Sequence, residues 1–173
     1  MKSMVDLSHQ FLLPVLHKQA ICIDATMGNG KDTLFFLKQN VHTVYAFEIQ
    51  KEVYTNTVSK IENRRFKPYC IGHERMDEYV HKEVDAIVFN FGYCPGFDSS
   101  ITTTLKTSLV AVEKAISLLK QKGRLALVFY PHEEGLKEAK EIENQLRIRK
   151  DINCIKIETF KENSPYLIGV EKE

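Results

Sequence analysis

A glycine-containing turn at residues 24–33 of this 173-residue chain has the composition of a nucleotide-binding loop. Gly28 and Gly30 allow the backbone to turn tightly and to approach a ligand. A Walker phosphate loop needs a first glycine and a Ser or Thr where the chain has Ala25 and Asp32, so that interpretation fails. A dinucleotide fingerprint fits poorly, because Thr33 stands in place of its third glycine.

Two carboxylates near this turn favour a nucleoside that carries positive charge. Asp24 opens the turn and would lie close to a dinucleotide's pyrophosphate, which it would repel. S-adenosylmethionine has no phosphate but has an ammonium and a sulfonium, which an acidic strand end suits. Glu48 ends the next strand-like run, where an acidic residue accepts hydrogen bonds from ribose hydroxyls in related folds. A simple capped helix start with Asp32 in its first turn would look similar.

A second polar segment, residues 90–96, begins with Asn90 and contains Tyr93. The arrangement Asn-x-x-Tyr resembles the Asn-Pro-Pro-Tyr loop of methyltransferases that modify exocyclic amino groups of bases, with Phe91 and Gly92 in place of the prolines. A carboxamide can orient the N–H groups of an amine, and an aromatic ring can hold an unstacked base. The alternative is an ordinary turn after a buried strand, since Gly and Pro are common turn formers.

Further polar residues follow other strand-like runs. His73 and His132 could contact a ligand or accept a proton, and each could equally cap the helix predicted after it. Ser100, Thr102 and Thr103 precede a long helix, where one or two hydroxyls would cap it and the others could contact substrate or phosphate.

Alternating hydrophobic patterns predict the elements that position these residues. β-branched or aromatic runs predict strands at residues 20–25, 43–47, 68–71, 86–89 and 125–130. Helix-like spacing predicts helices at about 30–39, 50–63, 74–81, 104–121 and 133–148, the fourth closed by Gly123. The last two runs, residues 154–160 and 166–170, look like an antiparallel pair at a sheet edge. We therefore predict an α/β fold with a mostly parallel, seven-stranded, doubly wound sheet and a terminal antiparallel hairpin, in one domain over 1–173.

Composition and charge limit the alternatives. The 24 basic and 23 acidic residues give a net charge of +1, so nucleic acid would have to bind a local patch. Three basic clusters lie near helix ends on the side opposite the strands' carboxyl ends, where a solvated rim is the simpler interpretation: 60–67, 120–124 and 147–150. The four cysteines have no zinc spacing, and Cys22 and Cys154 lie in apolar runs that predict buried thiols. No metal, targeting segment or membrane span is expected, which predicts a cytoplasmic protein.

Taken together, the chain resembles the bacterial tRNA wobble-uridine methyltransferases, a family also called rRNA methylases. The resemblance extends from the Ser8-His9 region to residue 168. Its most specific parts are the turn at 24–33, Gly72-His73-Glu74, Asn90-x-Gly92-Tyr93-x-Pro95-Gly96 and Ser100-Ile101-Thr102-Thr103. The resemblance implies a Rossmann-like class I methyltransferase that uses S-adenosylmethionine to convert 5-aminomethyl-(2-thio)uridine to 5-methylaminomethyl-(2-thio)uridine. It further implies a homodimer that acts on the tRNA anticodon region.

These patterns and the resemblance give three sets of predicted site residues. The predicted cofactor contacts are Asp24, Thr26, Gly28, Asn29, Gly30, Asp32, Thr33, Glu48, Gln50, His73, Glu74 and Asn90. The predicted catalytic residues are Asn90, which would orient the amine, and Tyr93, which would stack on the base. The predicted substrate contacts are Phe91, Gly92, Tyr93, Pro95, Ser100, Thr102, Thr103 and His132. Two alternatives stay open: a methyltransferase for another amine, on rRNA, protein or a small molecule, and a non-catalytic nucleotide-binding module.

Overall fold

The computed structural model describes residues 2–91, 105–130 and 133–173. Its helices are α1 (Met4–Leu12), α2 (Lys31–Lys38), α3 (Lys51–Val58), α4 (Leu105–Leu118) and α5 (Glu133–Ile148), with 3₁₀ helices at Leu13–Val15 and His73–Glu78. Its strands are β1 (Ile21–Asp24), β2 (Thr43–Phe47), β3 (Phe66–Tyr69), β4 (Val84–Phe91), β5 (Leu119–Phe129), β6 (Ile152–Ile157) and β7 (Tyr166–Lys172). None of the helices in these ranges combines the length and apolarity that a membrane crossing needs.

The seven described strands form one sheet in the order β3-β2-β1-β4-β5-β7-β6. Strands β1 to β5 pair in parallel, whereas β7 runs antiparallel to both of its neighbours, β5 and β6. The strand order reverses between β1 and β4, and doubly wound sheets bind ligands at the carboxyl ends of the strands beside such a point. The predicted sheet with its terminal hairpin is confirmed, and it brings Asn90, at the end of β4, next to the glycine turn after β1.

Both faces of the sheet are buried, because neighbouring residues of each strand point to opposite sides. In β4, Ile87 joins a core that includes Ile116 of α4, while Val88 joins a second core with Phe36 of α2 and Leu12 of α1. The near-continuous apolar runs of the central strands follow from this two-sided burial.

Helix α1 is an element that the hydrophobic pattern did not predict. It begins with a capping box: the Ser3 hydroxyl accepts a hydrogen bond from the Asp6 backbone N–H (3.1 Å), and the Asp6 carboxylate accepts one from the Ser3 N–H (3.0 Å). At the other end, the Arg124 guanidinium donates to the Phe11 carbonyl (2.8 Å) and lies over the Phe11 ring, which packs against Gly169 of β7. The helix is thereby fixed at both ends.

The connection from α4 to β5 differs from prediction. The helix ends at Leu118 and β5 follows at once, so the predicted capping role of Gly123 is wrong. Val84 of β4 pairs with Leu119 of β5, but Ala86, two residues later, pairs with Arg124, so β5 bulges between these two pairs. Lys122 lies in this bulge and has a left-handed backbone conformation, with a φ of 63°. The predicted helix at 74–81 is a 3₁₀ helix, and β3 begins two residues earlier than predicted.

The cysteine prediction holds only in part. Cys22 is buried in β1, whereas Cys154 and Cys70 are exposed. The buried thiol predicted at Cys154 is wrong because β6 is an edge strand with one open face.

Candidate active site

The glycine turn joins β1 to α2 at the carboxyl edge of the sheet. Gly28 and Gly30 have φ values of 49° and 76°, which side chains rarely tolerate. Gly30 is also pressed against the next helix, since an added Cβ would lie 2.8 Å from Ile61 and 2.9 Å from Thr57. The Thr57 hydroxyl donates to the Gly28 carbonyl (2.6 Å), so the turn has one defined conformation.

Asp24 lies inside this turn with a fully buried side chain. Its carboxyl group accepts hydrogen bonds from the Thr33 hydroxyl (2.7 Å) and from the Thr26 N–H (3.3 Å). Burial, together with the nearby charge of Asp32, raises the pKa of the Asp24 carboxyl to about 8. Asp24 thus organises the turn from within, and its contact with a cofactor stays a prediction.

Glu48, at the end of β2, faces the same turn. One of its oxygens accepts from the Gly28 N–H (3.0 Å) and the other from the Gln50 N–H (2.8 Å). Burial raises the pKa of this carboxyl. The Ile49 N–H also donates to this carboxylate. Since a carboxylate can accept about four hydrogen bonds, Glu48 retains capacity for a ligand's hydroxyl group. Asn29 is exposed on the same turn.

Asn90 connects β4 to the turn. Its backbone N–H donates to the Thr26 hydroxyl (2.7 Å), and its side-chain Nδ2 donates to Oδ2 of Asp32 in a short hydrogen bond. Its other side-chain atom, Oδ1, is buried and accepts no hydrogen bond from any part of the chain that the structure describes. Buried polar atoms are nearly always paired, so Oδ1 is suited to receive a donor from a bound molecule.

A histidine from α1 completes the cluster. His9 Nε2 lies 2.6 Å from Oδ1 of Asp32, and the ring stacks on Phe35 of α2 with 3.8 Å between centroids. Asp32 therefore binds His9 with one oxygen and Asn90 with the other. Asp32 is among the predicted cofactor contacts, whereas His9 is not among the predicted site residues. The sequence signal that points to His9 is its place at the start of the family resemblance.

Two further predicted site residues, His73 and Phe91, are buried, and their contacts with a ligand stay predictions. His73 is 7% exposed, its Nδ1 lies 3.3 Å from the Ala25 carbonyl, and burial lowers its pKa. Phe91 is 2% exposed and stacks between Phe89 and Phe129, so no face of its ring is open to a base. At the end of β5, Tyr130 is 38% exposed. The predicted contact of Glu74 with the cofactor stays a prediction.

Several predictions fall outside the described residues. They concern Gly92, Tyr93, Pro95, Ser100, Thr102, Thr103 and His132. Among the side chains that the structure does describe, no group of three or more His, Cys, Asp or Glu residues could hold a metal ion.

Comparisons with known proteins point in one direction. A family model described as "Putative rRNA methylase" matches residues 44–171. A curated relative, the chloroplastic tRNA (mnm(5)s(2)U34)-methyltransferase of Arabidopsis thaliana, is 34% identical over 157 residues, which cover 82% of this chain and 57% of that protein. The chain thus spans little more than half the length of the curated relative that it matches.

Two solved structures are similar over the whole chain. A "putative rRNA-methylase" from Clostridium thermocellum has a TM-score of 0.93 at 29% identity, covering 100% of this chain and 99% of that one. A "putative methyltransferase" from Streptococcus mutans, crystallised in complex with SAH, has a TM-score of 0.92 at 33% identity, with coverages of 100% and 99%.

Proposed function

Because the chain belongs to the rRNA methylase family, we propose that it is an S-adenosylmethionine-dependent N-methyltransferase of tRNA. The reaction is the conversion of 5-aminomethyl-(2-thio)uridine at the wobble position to 5-methylaminomethyl-(2-thio)uridine. The observation that carries the proposal is the buried Oδ1 of Asn90 beside the glycine turn, which has no hydrogen-bond partner among the described residues. The fold is that of a class I methyltransferase, as the sheet order and the similar solved structures show.

The residues of the turn fit S-adenosylmethionine. Glu48 has remaining acceptor capacity for a ribose hydroxyl, and the left-handed Gly28 and Gly30 permit close approach of the backbone. The Asp32 carboxylate gives the crevice the negative charge that suits a sulfonium and an ammonium. In support, SAH, the molecule that remains after S-adenosylmethionine has given up its methyl group, is bound by the Streptococcus mutans protein.

The reaction places few demands on the protein beyond alignment. S-adenosylmethionine supplies a methyl group on a positively charged sulfur. The amine lone pair forms a bond to this carbon as the C–S bond breaks, and the C–S electron pair stays on sulfur. The positive charge passes to nitrogen as a secondary ammonium, which releases a proton to water. Alignment of the two reactants can supply much of the rate enhancement.

Asn90 performs this alignment. Its Oδ1 can accept a hydrogen bond from an amine N–H and leave the lone pair free to face the methyl carbon. A carboxamide is uncharged, so it does not favour the protonated amine as a carboxylate would. Tyr93 would hold the uracil ring by stacking, and the exposed Tyr130 is a second aromatic side chain at this edge.

The choice of tRNA rests on the Arabidopsis relative, whose name gives tRNA U34 as its substrate. The family model's description, in contrast, gives rRNA, which makes an amine on rRNA the second candidate. We further propose a cytoplasmic homodimer, in which the partner adds RNA-binding surface that a chain of net charge +1 does not offer alone. Light scattering of the purified protein tests the dimer.

The proposal is tested by methylation assays with Asn90→Ala. Purified protein and labelled S-adenosylmethionine are incubated with tRNA and, separately, with rRNA from a strain that lacks the methyl group, and nucleosides are identified by mass spectrometry. We expect the wild type to form 5-methylaminomethyluridine in tRNA. We expect N90A to be slower by about 100-fold or more, the size of loss seen when one positioning group of a polar site is removed.

Asn153→Ala is the matched control. Asn153 lies on the edge strand β6, away from the glycine turn, and its side-chain amide donates a hydrogen bond to the exposed Glu173 carboxylate (2.8 Å). Calorimetry should show that N90A still binds S-adenosylmethionine and that N153A binds it with the affinity of the wild type. Full activity of N90A, or transfer to rRNA and not tRNA, would show that the assignment is wrong.

A further inference from the structure

We propose that His9 is a positioning residue for the methyl acceptor: acting through Asp32, it fixes the Asn90 carboxamide with Oδ1 turned toward the amine. This inference rests on the proposed function and extends it to the N-terminal helix. The observation behind it is a continuous hydrogen-bonded chain, His9–Asp32–Asn90, that ends in the one atom of the cluster without a described partner.

The two hydrogen bonds to Asp32 determine which way the carboxamide points. A carboxylate only accepts hydrogen bonds, so the group of Asn90 that faces it must be the NH₂. A flip of the carboxamide would set two oxygens against each other in a buried site. Asp32 therefore selects the orientation that presents Oδ1, an acceptor, to the substrate. It also polarises the carboxamide, because hydrogen bonds in a series strengthen one another.

His9 in turn fixes Asp32. Its Nε2–H donates to the carboxylate oxygen that Asn90 does not use. The side chains of His9 and Asp32 are 14% and 7% exposed, so little water competes for this bond. Without His9, the carboxylate could rotate and offer either oxygen, and the carboxamide that depends on it would lose its fixed position.

The position of the His9 ring is fixed by a neighbouring ring and by the helix that carries it. Phe35 stacks on it with an interplanar angle of 1°. The helix that carries it is fixed by the Ser3–Asp6 capping box and by the hydrogen bond from Arg124 to the Phe11 carbonyl. A residue can position a site precisely only if the element that carries it is itself held in place, and these contacts hold α1 in place.

Two variants separate positioning from packing. His9→Phe keeps a ring that can stack on Phe35 but removes the N–H donor to Asp32. His9→Gln removes the ring but keeps an amide N–H that can reach the same oxygen. If His9 acts through its hydrogen bond, Gln is the better substitute. If it only packs, Phe is the better one.

The experiment measures kcat, KM for tRNA and affinity for S-adenosylmethionine in wild type, H9F, H9Q and His17→Phe. His17 is the control, as an exposed histidine that contacts a different aspartate, Asp85, at 3.4 Å. We expect H9F to lower kcat by about 10- to 100-fold, the scale of a displaced reacting group, with cofactor affinity unchanged. We expect H9Q to stay within about threefold of wild type because it retains the donor, and H17F to match wild type.

A second measurement needs no substrate. The Asn90 side-chain amide gives a pair of NMR signals, identified by their loss in N90A. We expect these signals to shift or broaden in H9F and to keep their positions in H9Q and H17F. An H9F enzyme as fast as wild type, or faster than H9Q, would overturn the inference. If wild type itself does not methylate tRNA, the proposed function fails, and the amide signals alone decide whether His9 positions Asn90.

Discussion

Two of the buried aspartates in the described part of the chain, Asp85 and Asp32, each contact a histidine and lie at opposite edges of the sheet. At the amino edge, Asp85 accepts hydrogen bonds from the Ile21 N–H (2.8 Å) and from the Lys120 ammonium (2.8 and 2.9 Å), with His17 at 3.4 Å. At the carboxyl edge, Asp32 is bonded to His9 and Asn90. The two aspartates are buried to the same degree, with side chains 9% and 7% exposed.

The difference lies in where each network ends. The Asp85 network ends in a solvated lysine and a backbone N–H, and it joins the starts of β1 and β4 to β5. The Asp32 network ends in a buried acceptor, Oδ1 of Asn90, that nothing in the described residues satisfies. A polar group left unpaired costs stability, so its retention at the ligand edge fits a functional role. Buried charge thus joins strands at one edge, and at the other it holds the carboxamide that we propose aligns the substrate amine.

Replacing Asp32 and Asp85 by alanine, one at a time, should give the largest effects: the first on the rate of methyl transfer, the second on stability. We expect Asp32→Ala to lower kcat by about 100-fold, because the Asn90 carboxamide loses its fixed orientation. We expect Asp85→Ala to lower the free energy of unfolding by about 2 kcal/mol, since it leaves a backbone N–H and a lysine without their partner. Urea denaturation and single-turnover kinetics on the same preparations measure both quantities.

The two variants are each other's control. The folded fraction of D85A should retain the wild-type kcat, and D32A should lose less stability than D85A. If D85A slowed methyl transfer as much as D32A at equal folded fraction, the two edges would not differ in function.

Much of the architecture could be predicted from sequence, because a two-sided sheet imposes apolar runs on its strands. The central strands and the terminal hairpin have this pattern and were found. The capping box of Ser3 and Asp6 is a local signal for the start of helix α1. The hydrophobic pattern does not reveal the helix, because its contacts with Arg124 and Gly169 involve partners distant in the chain. The predicted cap at Gly123 failed for a similar reason: Lys120 is held by Asp85, and the left-handed turn falls on Lys122.

The residues of the candidate site also differ in whether local sequence could identify them. The glycine turn, Glu48 and Asn90 could be identified locally, since each directly follows a strand that ends at the ligand edge. The role of His9 could not, because 23 residues separate it from Asp32 and only the packing of α1 brings them together. Phe91 is the converse case: next to Asn90 in sequence, its ring points into the core on the other side of the strand.

The buried Asp24 gives a smaller effect that depends on pH. Its pKa is about 8 in the folded protein and about 4 in an unfolded chain, so between these values the folded state holds a proton that the unfolded state lacks. Stability contributed by this group therefore falls as pH rises through that window. Asp24→Asn does not titrate and can keep both hydrogen bonds, to Thr26 and Thr33.

We expect D24N to gain stability relative to wild type as the pH is raised from 5 to 8. Urea midpoints measured across that range give the comparison. Asp77→Asn, an exposed carboxylate, is the control and should follow the wild-type curve. Parallel curves for D24N and wild type would mean that Asp24 is ionised in the folded protein.

The smallest expected effect concerns the lysines at the two edges. Lys31 and Lys51 are exposed and begin α2 and α3, which puts them at the carboxyl edge beside the site. A cation in the first turn opposes the helix dipole, so a nearby phosphate would stabilise the lysine at this position.

We expect the double variant K31A/K51A to reduce the slope of log Kd for tRNA against log salt by about 1 to 2, as loss of one or two phosphate contacts requires. Lys122→Ala, at the bulge that follows α4, should leave the slope unchanged, because RNA that reaches Asn90 approaches from the opposite edge. If K31A/K51A and K122A reduced the slope by the same amount, RNA would contact both edges of the sheet, and the two edges would not differ in RNA binding.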